Sequence, residues 1–360
     1  MEINEYLEKY PYELESIQKN KYLVEKLNNL ILYHYDNSKE YKNIIDSFSL
    51  KDKLYTKLEE MPFLPVRLFK NYELKSCKDD QIFKVLTSSG TTSQKVSKIF
   101  LDKENASNQT KVLIKIMQTY LGRERLPMLI IDSKSILKDR SMFSARGAGI
   151  LGLSNFGRDH TYLLDDNMEI DFDILNDFIN KYKNKKIFIF GFTFMIWQYF
   201  YEQLKSKNIF LNLENAILIH SGGWKKLVDK SVDNDTFKSS LEYQAGIKII
   251  HDFYGMVEQV GSIFVECEYG HLHTPIFSDV IIRNPITLQP LPFGEKGLIE
   301  VLSVLPSSYP GHILLTEDIG TIIGEDNCKC GKKGKYFRVH GRLPKSEIRG
   351  CSDTHAFDKG

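Results

Sequence analysis

The sequence has no apolar run that approaches the ~20 residues needed to cross a bilayer. Its first fifteen residues, MEINEYLEKYPYELE, are acidic and contain no apolar h-region, so no secretory leader is expected there. It lacks a charge of either sign in excess: 48 Lys and Arg stand against 47 Asp and Glu, a formal net charge of +1. There is thus no bulk field to draw nucleic acid or an anionic membrane. The richest basic run, 181–186, is short and reads as a solvated helix end. Cysteine is scarce and odd in number, five in 360 residues, which argues against a disulfide framework and for a reducing compartment. The expectation is a cytoplasmic protein that is not a membrane protein and takes no nucleic-acid partner. Internal repeats and low-complexity linkers are also missing, and so is the G-x-x-x-x-G-K spacing of a Walker loop.

What is present is the composition of a folded enzyme-sized chain, 42% hydrophobic and 26% charged. Residues 1–80 read as helical. Ile3, Tyr6, Leu7 and Tyr10 recur at helical spacing, as do Leu23, Leu27, Leu30 and Ile31. Pro62 and Pro65 break this region. The middle alternates short apolar runs (128–132, 187–192, 216–223) with amphipathic stretches (105–121, 193–207), the pattern of a sheet with helices on its faces. After Ile247 strands follow closely: IKIIHDFYG, SIFVEC, SDVIIR, GLIEVLSVL, HILLT and GTIIG. These suit the rest of the sheet together with a small β-rich subdomain or barrel. From Gly341 hydrophobic periodicity stops. The expected organisation is an α/β core over 1–340 and a hinge with a mobile tail over 341–360.

The sharpest local signal is LTSSGTTSQKVSK, 86–98, after the apolar IFKVL. Its hydroxyls and backbone N–H groups can meet a phosphate chain, Gly90 permits close approach, and Lys95 and Lys98 can offset charge. Alone it reads better as an ordinary Ser/Thr-rich surface loop. Four later segments change the weighting: HSGG (220–223), DFYGMVEQ (252–259), LLTEDIG (314–320), which ends a strand with an acidic pair, and HGRLPKSEIRG (340–350). In this order the five resemble the adenylate-forming superfamily of acyl-CoA synthetases, nonribosomal adenylation domains and luciferases. SSGTTSQK is similar to its phosphate loop. Tyr254, Gly255 and Glu258 match its aromatic-Gly-x-x-Glu motif, Thr316, Glu317 and Asp318 its Thr-Gly-Asp motif, and Gly341 and Arg342 its Gly-Arg hinge. Within that superfamily the chain resembles the LuxE-type acyl-protein synthetases, the ligase component of the fatty-acid reductase complex. Length, the run-on into SKIFLD, SDVIIR after GHLHTP, and the tail RGCSDTH carry that likeness over about 63–355.

The resemblance implies an adenylate-forming fold and assigns roles. Ser88, Ser89, Gly90, Thr91 and Thr92 would hold the β- and γ-phosphates of ATP. Gly222 and Gly223, with Tyr254 and Gly255, would border the adenine. Glu258 would carry Mg²⁺, a hard ion suited to oxygen. Asp318 would accept from the ribose hydroxyls, and Arg342 would contact the ribose or the α-phosphate. Ser93 and Glu317 stand where the family usually has Gly, and Met256 and Val257 replace its usual residues before Glu258. The implied activity is ATP-dependent activation of a long-chain fatty acid as an acyl-adenylate and its transfer to a thiol, here Cys351. An acyl-CoA or acyl-protein reductase would be the partner, and a homo-oligomer is compatible with it. Two other readings stay open: an acyl-CoA ligase whose acceptor is coenzyme A, and a non-catalytic nucleotide-binding subunit.

Most of that superfamily carries a further C-terminal domain with a Lys used in adenylation. The chain stops soon after Arg342, so that domain and its Lys are expected to be missing; Lys345 or Lys98 could compensate, and the sequence favours neither. Cys351 lies in R-G-C-S beside Arg349, and a nearby cation favours a reactive thiolate. A second cluster, Cys267, His273, Cys328 and Cys330, has the donor types of a structural Zn²⁺ site, and relatives in the phenylacetate-CoA ligase branch have a comparable arrangement. Reduced, unliganded thiols in a turn are the other reading. Cys77 looks like an ordinary loop cysteine. Phe143, Phe156, Phe192, Phe194, Trp197 and Phe200 could line an acyl tunnel, though 192–200 is also what a core helix looks like.

Overall fold

A computed structural model of the chain describes residues 3–48, 54–88, 96–137, 145–224 and 231–343. The N-terminal helices are α1 (Ile3–Leu7), α2 (Ser16–Asn37) and α3 (Lys39–Ser47). In α2, Leu23, Leu27 and Ile31 are buried at intervals of four, the stripe that one helix face presents to a core. Past α3 the helical reading of the first 80 residues gives way. Residues 54–80 hold a short strand, β1 (Leu64–Pro65), a single turn, α4 (Leu68–Asn71), and short 3₁₀ or irregular pieces.

Two strands, β2 (Lys84–Thr87) and β3 (Lys98–Leu101), pair only with each other as a hairpin. Then the alternation expected from the sequence appears. The elements are α5 (Lys103–Leu121), β4 (Leu126–Ser133), α6 (Ala145–Ser154), β5 (Gly157–Leu164), α7 (Phe172–Lys181) and β6 (Ile187–Phe192). A continuous helical segment follows: α8 (Thr193–Met195), a π-helical stretch (Ile196–Tyr201) and α9 (Glu202–Ser206). Next come β7 (Ala216–Ser221), α10 (Asn234–Ala245) and β8 (Ile249–Tyr254). Three helix starts carry Asp caps. Asp102, Asp171 and Asp233 accept from the backbone N–H three residues on, satisfying donors that a helix end leaves free.

The remaining strands are β9 (Phe264–Glu266), β10 (Leu272–His273), β11 (Ser278–Arg283), β12 (Gly297–Ser303), β13 (Ile313–Glu325) and β14 (Lys335–Arg342). All except the hairpin join one twelve-stranded sheet in the order β11-β12-β13-β14-β10-β9-β8-β7-β6-β4-β5, with β1 alongside β13. From β8 to β5 the pairing is parallel; from β8 to β11 it is antiparallel. The C-terminal strands continue the main sheet and do not pair off into a sheet of their own among the described residues. HILLT and GTIIG are one strand, β13, which runs through the acidic pair that was expected to end it.

Side chains alternate across each strand, and the parallel half uses both sides. Met128 and Ile130, Phe188 and Phe190, and Ile217 and Ile219 face α2, α5 and α6. Leu129 and Ile131, Ile187 and Ile189, and Leu218 face α7, the π-helical stretch and α10. Trp197 and Phe200 belong to that second core. The basic run 181–186 starts at the last residue of α7, and its four lysines are exposed, as a solvated helix end should be.

Candidate functional site

In an open parallel sheet, ligands bind beyond the carboxyl ends of the strands. Those ends collect the sequence-predicted motifs. Gly222 and Gly223 follow β7 directly, and both are exposed. Gly222 has φ +86°, and a Cβ there would meet the Phe192 ring at 3.2 Å, so both its conformation and the space favour glycine. Tyr254 and Gly255 end β8, the parallel neighbour of β7.

The acidic pair reaches the same place through an irregularity in β13. Leu298 of β12 pairs with Ile319 and Glu300 with Leu315, so Ile299 alone faces Thr316, Glu317 and Asp318. Such a bulge re-aims side chains out of the pleat. Thr316 steadies it. Its hydroxyl donates to the Ile299 carbonyl at 2.7 Å and accepts from the Asp318 N–H at 3.1 Å. Asp318 then accepts from the Tyr254 hydroxyl at 2.7 Å. Arg342 is the β14 residue opposite Asp318, with its Nε 3.6 Å from Oδ1. Burial, and then the Asp318 charge, hold the Tyr254 phenol well above its usual pKa, so it remains a donor. Gly341 and Arg342 lie on β14 itself, paired with Ile319 and Asp318.

Glu258 sits in a 3₁₀ turn (Val257–Gln259) just beyond Tyr254 and is buried. Burial raises its pKa; the Ser97 hydroxyl, its own backbone N–H, and the charges of Lys70 and Arg342 act against that rise. The turn is held from behind. Tyr309 donates its hydroxyl to the Glu258 carbonyl at 2.9 Å. The Gln259 amide spans the carbonyls of Val301, Gly311 and His312 at 2.8–3.3 Å. At Gly311 a Cβ would lie 2.7 Å from the Glu258 carbonyl oxygen, so only glycine lets these backbones approach.

The phosphate-loop candidates divide. Ser88 closes the neck of the β2–β3 loop: its N–H donates to the Ser97 carbonyl at 3.1 Å, and its Oγ accepts from the Ser97 N–H at 2.9 Å. Ser89, Gly90, Thr91, Thr92, Ser93 and Lys95 lie outside the described residues, as do Phe143, Lys345, Arg349 and Cys351. Lys98 is paired with Glu73 at 2.8 Å. The aromatic set also splits: Phe156 belongs to the α5–α6 face, Trp197 and Phe200 to the opposite core, and Phe192 touches both.

Sequence reasoning missed several residues here. Arg67 reaches Glu317, its Nε 2.8 Å and a terminal nitrogen 2.5 Å from Oε1. Lys70, Ser97, Gln259 and Tyr309 join as described above. Ser97 and Gln259 fall inside the 86–98 and 252–259 segments, which assign them no role; no local signal marks Arg67, Lys70 or Tyr309, since their places depend on strand pairing across most of the chain.

Away from this edge, Cys267, His273, Cys328 and Cys330 bring their ligand atoms within 4.8 Å of one another. The Cys267 and Cys328 sulfurs are 3.9 Å apart, and the Cys330 sulfur is 3.3 Å from His273 Nε2. Tetrahedral zinc with Zn–S near 2.3 Å needs S–S edges of about 3.8 Å, so the donor set fits that ion. Burial raises all three thiol pKa values, so thiolates here call for a cation. His273 Nδ1 is buried without a hydrogen-bond partner. Cys77 is a half-buried free thiol.

None of the described helices is long and apolar enough to cross a membrane. Among solved structures the fold resembles 2-hydroxyisobutyryl-CoA ligase in an open conformation, in complex with 2-HIB-AMP and CoA. The TM-score is 0.69 at 14% identity, over 93% of this chain and 72% of that one. The post-adenylation state of the same ligase matches with a TM-score of 0.68. The architecture is therefore that of adenylate-forming acyl-CoA ligases. Among curated proteins, a long-chain-fatty-acid–luciferin-component ligase of Aliivibrio fischeri is 26% identical over 94% of this chain and 89% of its own length. Its counterpart from Vibrio harveyi is 24% identical over 94% and 88%. The family model for acyl-protein synthetase, LuxE, matches residues 2–357. The chain thus belongs to the LuxE acyl-protein synthetase family, and it is a ligase of the AMP-forming class.

Proposed function

We propose that the chain activates a long-chain fatty acid with ATP and Mg²⁺ as an acyl-adenylate, then passes the acyl group to the thiol of Cys351. The observation that carries this reading is convergence. Tyr254 with Glu258, Asp318, and Arg342 come from three separate segments and meet at one sheet edge, beside Gly222 and Gly223. A carboxylate is a poor electrophile because it has no good leaving group. Its oxygen would attack the α-phosphorus, pyrophosphate would leave, and a mixed anhydride with AMP would form. Positioning and charge neutralisation do most of the work in such a step.

Asp318, an acceptor that Tyr254 and Arg342 approach, would take the ribose hydroxyls. Arg342 adds a permanent cation near the α-phosphate. The buried Glu258 carboxyl would hold Mg²⁺, which supplies positive charge to the polyphosphate and offsets the cost of burying that carboxylate. Ser89, Gly90, Thr91 and Thr92 would take the outer phosphates. In the second half-reaction the Cys351 thiolate attacks the acyl carbon, AMP leaves, and a thioester remains. The acyl group would then pass to a reductase partner for reduction to fatty aldehyde. The two curated relatives, named as fatty-acid ligases, support the choice of a long-chain acid. The Cys267–His273–Cys328–Cys330 set would hold one structural Zn²⁺.

Incubation with ATP, Mg²⁺ and myristate, followed by peptide mass spectrometry, tests the reading. The expected result is an acyl adduct on the peptide containing Cys351, released by neutral hydroxylamine and absent in Cys351→Ser. A label that persists in Cys351→Ser, or acyl-CoA formed on adding coenzyme A with no protein adduct, contradicts it. In the second case the acceptor is coenzyme A.

A further inference from the structure

Glu317 stands in the bulge of β13 beside Asp318, and two guanidinium groups approach its carboxylate. Arg67 touches Oε1, and Arg342 Nε lies 4.0 Å from Oε2. Among the described residues Glu317 is the only carboxylate within ion-pair distance of Arg67.

The backbone that delivers Arg67 is tied to β13. Leu64 and Pro65 run parallel to Leu314 and Leu315 of β13, and the Val66 N–H donates to the Leu315 carbonyl at 2.9 Å. On the other side Phe69 is buried. The guanidinium itself is open to solvent: the Arg67 side chain is 67% exposed, against 32% for Glu317. Three residues on, Lys70 extends its charge to Glu258. The segment 67–70 therefore adds two cations to an edge whose other polar groups are Asp318, Glu258, Tyr254 and Arg342.

A guanidinium fork fits a phosphate as well as a carboxylate. An ion pair this exposed is weak, and a polyphosphate, with several negative charges, outcompetes one carboxylate for it. We propose that Arg67 is a phosphate-binding residue of the nucleotide site, and that Glu317 is the counter-ion it exchanges for the polyphosphate. This rests on the nucleotide function proposed above. It gives the Glu in Thr-Glu-Asp a role: it stores a second guanidinium beside Arg342 and sets how tightly the polyphosphate is held.

The two residues then act in opposite directions, whereas a structural clamp would make them act alike. In the full chain, Arg67→Ala should weaken MgATP binding by roughly tenfold, the size of one lost charge-assisted contact, with little change in melting temperature. Arg67→Lys should recover part of it. Glu317→Gln should tighten MgATP and inorganic pyrophosphate binding severalfold, because a competing carboxylate is gone. That gain should shrink in the double variant. Titration calorimetry with MgATP and with pyrophosphate reads all four. If both single variants weaken binding and lower the melting temperature together, the pair is a structural clamp and the proposal is overturned. It is also overturned if Arg67→Ala binds MgATP as wild type does. A wild-type chain that binds no MgATP overturns it together with the function it rests on.

Discussion

Asp318 has two oxygens and two neighbours. The Tyr254 hydroxyl donates to one at 2.7 Å, and Arg342 lies 3.6 Å from the other. The carboxylate is thereby oriented without being saturated, since each oxygen can accept more than once. Removing it should cost the ribose contacts, on the order of 1.5–3 kcal/mol for hydrogen bonds to a charged group. Asp318→Ala is therefore expected to raise the apparent KM for ATP at least tenfold, measured as fatty-acid-dependent ATP–pyrophosphate exchange. Tyr254→Phe removes only the orienting donor and should cost less, about 1 kcal/mol. Both residues are legible in the sequence through their motifs. Arg67 and Tyr309 are not, because an Arg after a short strand and a Tyr in a loop gain a role only once β1 lies on β13 and the 309–311 turn lies against Glu258.

Elements carry the site in two ways. The β13 bulge turns Thr316–Asp318 out of the pleat, which a period-two reading of LLTEDIG cannot foresee, so the strand was expected to end there. The 3₁₀ turn with Glu258 is clamped by Tyr309 and Gln259, and Gln109 of α5 donates to the Tyr309 hydroxyl at 3.4 Å. Tyr309→Phe strands a buried carbonyl and should destabilise the fold by about 1–3 kcal/mol, read by urea denaturation. Just before β13, His312 stacks on His34 of α2 at 4.8 Å, both fully enclosed. Burial pushes His34 down to about 3 and His312 well below the usual 6.5. The unfolded chain, titrating near 6.5, therefore binds more protons than the folded one at lower pH. Stability from this pair is complete above pH 6.5 and is lost progressively as pH falls below it, by up to ~1.4 kcal/mol per pH unit for each histidine. Urea midpoints measured from pH 7 to 4 should show this slope, and His312→Gln should flatten it.

At the scale of the molecule, the parallel half of the sheet was readable from its alternation of apolar runs and amphipathic stretches. The antiparallel half was readable only as a list of strands. Close spacing with Gly and Pro turns suits a separate barrel as well as a continued sheet, and only the β14–β10 and β9–β8 pairings decide for the sheet. The cysteine cluster sits at that junction, with His273 on β10, Cys267 just past β9, and Cys328 and Cys330 between β13 and β14. A metal there would tie the β9–β10 pair to the connection between β13 and β14. Elemental analysis should find about one zinc per chain, and Cys330→Ser should lose both the metal and several degrees of melting temperature. Protein purified without chelator that contains no zinc would contradict this.

The central claim is that the sheet edge holding Glu258, Asp318 and Arg342 forms an acyl-adenylate. Exchange of labelled pyrophosphate into ATP measures that step alone, whatever thiol comes afterwards. The account predicts exchange that depends on a long-chain fatty acid and on Mg²⁺, persists in Cys351→Ser, and falls sharply in Glu258→Gln and Asp318→Ala. Exchange that needs no fatty acid, or that survives unchanged in both site variants, would contradict it.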